Sequence, residues 1–308
     1  MIRLIKKLGV KPVVFILALM LTAAFAITYT GLLPSWSDIY THLSIDEPYF
    51  PQSADELRAT FFDAGNADCA MICTKDFTVI SDTGAPVYNC ELIDALKRAD
   101  ISNVDLMIIS HADSDHIGNA LKIMNELDVK RVIMPDCGDL DLSDYEIYNA
   151  VIEYADTNGI PVDFVHSGAV YNCGKIKITV LAPKVQLKSV NSNSVVFRLD
   201  YNKSSFLFTG DAETDEQRTL LDDDVLLKAD IIKIPHHGRK SAFCKELLQS
   251  VQAKTAVITC GDITDYKVSP QLLMYLESQN TDCLRTDLNG NITIITTGRG
   301  DYSIETEK

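Results

Sequence analysis

From residue 57 onward, short apolar runs alternate with stretches in which apolar side chains recur every third or fourth position. The runs 59–62, 70–73 and 77–80 are strand-length and closely spaced, which predicts three successive strands with tight connections. Leu92, Ala95 and Leu96 give residues 91–99 a helical period, and 106–109 reads as a buried strand. Ile117, Leu121, Met124 and Leu127 mark one face of a helix, followed by a strand at 132–134 and a helix around 145–154. In the second half, strands are predicted at 176–181, 194–199, 205–208, 231–234, 255–259, 291–295 and 302–304, with helices at 243–251 and 271–277. Strands come in groups with helices between the groups. That order predicts a mixed α/β architecture of two sheets packed together with helices outside. No linker-like composition interrupts residues 56–308, which therefore read as one catalytic-type domain.

The amino terminus follows a different pattern. Arg3, Lys6, Lys7 and Lys11 precede an apolar run that continues, with brief polar interruptions, through residues 13–33. A run of about twenty apolar residues spans a bilayer, and the basic residues before it stay in the cytoplasm. The expected organisation is a short cytoplasmic segment (1–12), a transmembrane anchor or signal peptide (13–33) and a Pro- and Ser-containing linker (34–55). Ala24-Phe25-Ala26 resembles a cleavage site, so secretion after cutting near Ala26 is the alternative to a single-pass anchor. Both readings put the body outside the cytoplasm.

The net charge of −15 changes the picture of partners. Residues 1–37 contain four bases and no acid, so the remainder stands at −19. Such a body does not hold nucleic acid by charge alone, because duplex affinity depends on phosphate neutralisation. The eight cysteines include no Cys-x-x-Cys, and Cys69 and Cys73 fall on one face of a strand. Buried free thiols are expected in preference to a disulfide framework.

Candidate chemistry concentrates in Ser110-His111-Ala112-Asp113-Ser114-Asp115-His116, directly after an apolar strand. Four of the six histidines lie in this segment or in Pro235-His236-His237-Gly238. Imidazole and carboxylate without thiolate suit zinc, manganese or iron. The plainer reading is an acidic loop opening a helix, with Asp113 and Asp115 favoured by the helix dipole. Three further segments end strands in polar groups: Phe62-Asp63-Ala64-Gly65-Asn66-Ala67-Asp68, Ser81-Asp82-Thr83-Gly84 and Thr209-Gly210-Asp211. His42 and His166 fall outside every motif and read as ordinary histidines.

In their order and spacing these segments resemble the metallo-β-lactamase fold superfamily over residues 56 to about 305. The His-x-Asp-x-Asp-His form points to one branch, the extracytoplasmic hydrolase domain of the competence protein ComEC and its stand-alone relatives. Asn191-Ser192-Asn193-Ser194 and the terminal Arg285-Thr286-Asp287-Leu288-Asn289-Gly290-Asn291 continue the resemblance. It implies a four-layer αββα sandwich behind the N-terminal helix and two divalent metal ions, zinc or manganese. By the same resemblance, His111 and Asp113 hold one ion and Asp115 and His116 the second. Asp211 bridges them, and His236 completes the second site with His237 as neighbour or substitute. Asp82, Asp63, Asp68 and Asn193 are implied in or around the ligand shell. Two departures stand out: Asn193 and its neighbours occupy the region of the superfamily's usual intermediate histidine, and residues 265–270 lack the histidine of a Tyr-Gly-His-Pro-like turn.

The chemistry implied is hydrolysis by a metal-activated water, with Asp115 and His116 as the catalytic pair. Lys233, Arg239, Lys240 and Lys245 flank the His-His segment and read as a positive lip, with Arg239 and Lys240 the candidates to receive a phosphodiester. The expected activity is an extracytoplasmic phosphodiesterase or nuclease acting on single-stranded DNA. The alternatives are a phosphodiesterase of cell-wall polymer such as phosphorylcholine-bearing teichoic acid, or a degenerate fold that binds without catalysis. β-Lactam hydrolysis fits less well, because Asp113 and the missing histidine depart from that pattern. Apart from the membrane, no protein partner is implied.

Overall fold

The computed structural model describes residues 49–86, 92–138, 140–143, 145–222, 226–261 and 267–308. Its strands are β1 (Leu57–Phe61), β2 (Cys69–Cys73), β3 (Thr78–Thr83), β4 (Asn103–Val104), β5 (Leu106–Ile108), β6 (Asp128–Val129), β7 (Val132–Pro135), β8 (Val162–Val165) and β9 (Val170–Cys173). There follow β10 (Ile176–Ala182), β11 (Val196–Tyr201), β12 (Ser204–Phe208), β13 (Ile231–Lys233), β14 (Thr255–Ile258), β15 (Asp282–Arg285), β16 (Ile292–Thr296) and β17 (Ser303–Thr306). The described helices are α1 (Leu92–Arg98), α2 (Ser114–Ile117), α3 (Ala120–Glu126), α4 (Glu146–Asn158), α5 (Thr214–Leu221), α6 (Lys245–Val251), α7 (Pro270–Ser278) and α8 (Thr286–Asn289).

Two large sheets result, ordered β17-β16-β1-β2-β3-β5-β7-β8 and β15-β14-β13-β12-β11-β10-β9. Each is antiparallel in one part and parallel in the other, the parallel pairs being β3·β5·β7·β8 and β12·β13·β14·β15. Leu57, Ala59, Phe61, Ile72, Val79 and Ile108 of the first sheet share one core with Ile178, Phe197, Leu199, Phe206, Phe208 and Val257 of the second. Phe208 stacks on Phe197 at 4.7 Å and on Phe61 at 5.6 Å, joining the sheets through aromatic faces. Strand side chains alternate, so Met71, Ile80 and Met107 point away from that core, yet each is fully buried. Helices cover the outer faces, and Leu220, Leu247, Val251, Leu272 and Leu276 pack on Leu207, Ile232, Ala256 and Ile258 of the second sheet. This helix–sheet–sheet–helix layering is the architecture expected from the sequence. The two-sided burial explains why its central strands read as continuous apolar runs.

The differences have local causes. The helix expected through Ile117, Leu121, Met124 and Leu127 is two helices, α2 and α3, separated at Gly118-Asn119. The Asn119 amide donates to the carbonyls of Thr83 and Ala85 at 2.9 and 3.1 Å, tying the break to β3. Strands β8, β9 and β15 were not legible because they are edges, with exposed Phe164, Val170 and Asp282 breaking the apolar pattern. Helix α5 was missed because two of its three buried positions are Glu216 and Gln217. The packed body also begins earlier than residue 56. Tyr49 and Phe50, within the stretch read as linker, are buried, and the Tyr49 hydroxyl accepts a 2.9 Å bond from the Asn291 amide. The expected membrane segment 13–33 lies outside the described residues, among which no helix is long and apolar enough to cross a membrane. The seven described cysteines form no disulfide with one another, six of them being buried and Cys283 exposed, while Cys90 lies outside the described residues.

Candidate metal centre

The parallel halves of both sheets direct their strand ends into one place. From the first sheet come Asp82 at the end of β3, Asp68 just before β2, and the His111–His116 segment after β5. From the second come Asp211 after β12, His236 and His237 after β13, and Thr259 after β14. The backbone is left-handed at Asp82 (φ 55°), Gly210 (φ 48°), His236 (φ 47°), His237 (φ 52°) and Gly238 (φ 74°). For a non-glycine residue that conformation costs on the order of 1–3 kcal/mol, and it persists only where the surroundings enforce it. Here the turn wraps the His-His pair back over β13, with His236 N donating to Gly210 O at 3.2 Å.

Outer neighbours fix the imidazoles in matching states. His116 Nδ1 lies 3.0 Å from Asp82 Oδ2, a carboxylate that accepts only, so Nδ1 carries a proton and Nε2 is the nitrogen left to face the centre. His237 Nδ1 lies 2.9 Å from the Thr259 carbonyl, again an acceptor, which frees Nε2 in the same way. His111 Nδ1 meets the Ser110 hydroxyl at 3.0 Å. Asp82 is itself anchored, taking the Ser110 amide hydrogen on Oδ1 at 2.7 Å. His111 Nε2, His116 Nε2, His237 Nε2 and Asp211 Oδ1 are buried and have no hydrogen-bond partner. Buried polar groups are rarely left so, and four in one place call for a ligand. Asp115, His116, Asp211 and His237 each offer one ligand atom within 4.8 Å of the others. His116 Nε2 lies 3.2 Å from Asp211 Oδ1, and His237 Nε2 lies 3.4 Å from Asp115 Oδ2 and 3.5 Å from Asp211 Oδ2. Beside this group, the His111 ring lies 4.1 Å from that of His116 at a 51° tilt, and its Nε2 is 3.5 Å from Asp113 Oδ2. A histidine–carboxylate set with free nitrogens, each ring held from behind, fits a divalent metal.

Comparison with known proteins agrees with this geometry. Residues 62–262 match the family described as the Metallo-beta-lactamase superfamily. The chain belongs to the metallo-beta-lactamase superfamily. Among curated proteins it is 32% identical over 203 residues to ComE operon protein 3 of Bacillus subtilis (strain 168), covering 65% of this chain and 26% of that protein. It is 23% identical over 251 residues to competence protein ComA of Neisseria gonorrhoeae, covering 79% of this chain and 33% of that one. The chain thus spans about a quarter to a third of the length of these relatives. Among solved structures it resembles Igni18, a metallo hydrolase of Ignicoccus hospitalis, with a TM-score of 0.53 at 14% identity over 77% of this chain and 98% of that one. It also resembles CmlA, a diiron β-hydroxylase of Streptomyces venezuelae, with a TM-score of 0.54 at 14% identity over 79% of this chain and 54% of the other. The resemblance to ComEC-like competence proteins is therefore established, as is the metallo-beta-lactamase sandwich, a fold that binds divalent metal ions.

Within this family frame, each candidate residue has a definite place. His237, more than His236, joins Asp115, His116 and Asp211. His236 stands at the rim, its Nε2 3.6 Å from Asp211 Oδ2 and its Nδ1 3.8 Å from Glu213 Oε1. Asp68 is buried behind the centre, 3.4 Å from His237 Nδ1 and 3.7 Å from His116 Nδ1, and it accepts from the Thr259 hydroxyl. Asp68, Asp82 and His116 form a second three-residue group close enough to hold an ion, but both carboxylates approach the imidazole at its protonated Nδ1 and so brace it from behind. Asp63 turns away, pairing with Lys308 at 3.1 Å while its amide donates to Asn291. Asn193 spends its amide on its own loop, accepting from Leu187 N and donating to the carbonyls of Leu187 and Ser189. Ser194 carries that loop's link to the centre, its hydroxyl accepting from Asp211 N at 3.2 Å. The positive lip loses a member, since Lys233 is buried beneath the centre, whereas Arg239 is half-buried and Lys240 exposed. His166 is on the surface beside Asp136, and His42 lies outside the described residues.

Electrostatics without metal show what the centre demands. Burial disfavours the charged form of His116, but Asp211, Asp82 and Asp68 outweigh it and raise that imidazole well above its ordinary value. His237 is likewise raised, to about 9, by Asp211, Asp115 and Asp68 against burial. Burial pushes the Asp211 carboxyl up, but His116 and His237 hold it well below the usual range. Asp115 is lowered against burial by the neighbouring imidazoles of His237 and His116. His236 goes the other way, lowered to about 4 by burial, which Asp211 opposes and Arg239 reinforces. The carboxylates attract positive charge into the pocket, and in the metal-free protein protons on the imidazoles supply it.

Proposed function

We propose that this chain is a metal-dependent hydrolase of phosphodiesters that holds two divalent ions, zinc or manganese, and works outside the cytoplasm from the apolar segment 13–33. The observation that carries the reading is the set of free, buried Nε2 atoms on His111, His116 and His237 around Asp211. His116, His237, Asp115 and Asp211 would hold one ion, and His111 and Asp113 the other, with Asp211 between them and His236 at the rim. Two such ions supply an acidified water and a fixed positive charge against the negative charge that develops on phosphorus. Asp115 is half-exposed and stays ionised, so it accepts the proton of the attacking water and orients it. His116 is the second catalytic residue, its ring locked by Asp82 so that Nε2 keeps one direction.

A cleft of about 490 Å³ lined by Ala112, Asp113, Ser114, Asp115, Tyr145, Glu146 and Ile147 adjoins these ligands and gives the substrate access. Arg239 and Lys240 are the cationic groups offered to a phosphate at the opposite rim. The name of the relative ComA, a competence protein, favours a DNA strand as substrate. The acidic cleft favours a second reading, a smaller phosphodiester of the cell wall, because Glu146 repels a long polyanion. The test uses the full chain in detergent with Mn²⁺ or Zn²⁺, on single-stranded DNA and on a chromogenic aryl phosphodiester, beside Asp115→Asn. Metal-dependent cleavage lost in the variant supports the proposal. Cleavage of the small diester alone moves the substrate to the cell wall. Inertness toward both would leave the fold as a binding protein.

A further inference from the structure

The floor of the centre holds a cation that the sequence pattern had set on the rim. Lys233 ends β13 and is 4% exposed. Its Nζ meets the Asp68 carboxylate, the Gly210 carbonyl at 2.9 Å and Asp211 Oδ1 at 3.7 Å. Asp68 belongs to the first sheet's β1–β2 connection and Lys233 to the second sheet, so the pair also clasps the two sheets beneath the ligands.

We infer that Lys233 is a positioning residue that sets the charge of the centre for two divalent cations and aims the Asp211 carboxylate between them. The inference rests on the two-ion reading above. Asp68, Asp82, Asp113, Asp115 and Asp211 are five carboxylates in contact with the clustered imidazoles or with Lys233. Set against one ammonium they leave a formal charge of −4, which two divalent ions cancel and one leaves half-uncompensated. Glu213 and Arg239 flank His236 with opposite charges and leave that count unchanged. The ammonium also gives Asp211 its orientation, with Oδ1 turned to Lys233 and His116 and Oδ2 to His236 and His237.

The charge role predicts shifts of opposite sign, which a merely structural role does not. In Lys233→Met, the Asp68 charge stands unbalanced 3.4 Å from His237 and 3.7 Å from His116, making the pocket more attractive to cations. In Asp68→Asn, the ammonium stands unbalanced behind Asp211 and repels them. In the double variant the buried pair is replaced by neutral groups of similar size, and the charge count returns to the native one.

The experiment titrates the full-length chain in detergent with Mn²⁺ and reads the free ion by electron paramagnetic resonance. The native chain is expected to take up two ions. Lys233→Met should tighten and Asp68→Asn should loosen the Mn²⁺ dissociation constant by on the order of tenfold, a low figure for a unit charge so near at intermediate dielectric. The double variant should lie within about threefold of native, well inside the tenfold shifts set by that same charge argument. Loosening in both single variants without recovery in the double overturns the inference and leaves the two-ion reading standing. If Lys233→Met does not fold, the other two variants decide, and an Asp68→Asn constant equal to native or tighter sinks the charge role. No Mn²⁺ uptake by the native chain would remove the two-ion reading and the inference with it.

Discussion

Replacing Asp82 by Asn tests whether the tautomer of His116 is what makes it a ligand. The side chain has two donors in front of it, Ser110 N–H at 2.7 Å on Oδ1 and His116 Nδ1–H at 3.0 Å on Oδ2. A carboxylate accepts from both, whereas an amide has one oxygen and one NH₂. Asn also adopts the left-handed backbone that Asp82 holds at φ 55°, so the substitution changes chemistry without adding strain. If the amide oxygen stays on Ser110, the NH₂ faces His116 Nδ1, forces that nitrogen to accept, and moves the proton to Nε2, where it blocks the metal. If the amide turns over, Ser110 N–H is left buried against a donor at a cost of about 1–3 kcal/mol. Both outcomes penalise the metal-bound protein, and a penalty of that size is roughly the 10–100-fold loss of metal affinity typical of groups that brace a metal-binding histidine. The assay is the Zn²⁺ dissociation constant by competition with a chromogenic chelator, run beside the thermal melt of the metal-free protein. An affinity within twofold of native and an unchanged melt would refute the argument that Asp82 sets the donor face of His116.

Metal uptake at pH 7 should release protons, because His116 and His237 are raised in the metal-free protein and must lose charge to bind; calorimetry in buffers of different ionisation enthalpy reads the number, and zero would contradict the assignment. For the metal-free fold, the raised His237 value means its stabilisation is complete below the unfolded value near 6.5 and is lost as pH rises through about 9. The metal-free melting temperature should accordingly fall between pH 6 and pH 10, and a flat profile would count against the buried charge cluster. Gly118→Ala places a Cβ 2.6 Å from Gly84 O, and closer still to Ser114 O and Pro86 Cδ, with backbone on two sides. Its φ of −57° suits any residue, so an expected loss of about 1–3 kcal/mol by denaturant titration reports crowding alone. Ser194→Ala removes the acceptor of the Asp211 amide and should cost about 1 kcal/mol, with metal affinity falling more than stability.

The parts of the fold that burial writes into the sequence were legible. Central strands such as β12 and β14 are buried at every position and so carry apolar runs, Phe206-Leu207-Phe208 and Ala256-Val257-Ile258. The edge strands β8, β9 and β15 and helix α5 were not, because their sequences answer to one-sided exposure or to polar partners such as the Ser194 amide on Glu216. The centre was legible as residue types, since His111, Asp113, Asp115, His116, Asp211 and the His-His pair stand at strand ends in the superfamily's order. What no spacing could reveal is which of two adjacent histidines points inward. His236 and His237 both lie in the left-handed region, and the 2.9 Å bond from His237 to the Thr259 carbonyl, 22 residues away, decides the matter. Lys233 was misread for a similar reason. A lysine at the end of a strand is usually solvated, and only its partner Asp68, brought over from the other sheet, keeps it buried.

That pairing links the chemistry to the packing. Asp68 takes Lys233 and the Thr259 hydroxyl from the second sheet, while its own amide donates to Asp115 O and its carbonyl accepts from Gly84 N in the first. The candidate ligands are drawn from both sheets in the same way, His111, Asp115 and His116 from one and Asp211 and His237 from the other. An ion held by both sets spans the seam between the sheets, so its binding energy resists their separation as well as filling the pocket. Binding to the folded state alone stabilises by about 2.7 kcal/mol at a hundredfold excess over the dissociation constant. Zn²⁺ or Mn²⁺ should therefore raise the melting temperature of the native chain, and less in Asp211→Asn, where one side of the seam loses its bridging carboxylate. An equal shift in that variant would mean that the ion is held without the Asp211 carboxylate.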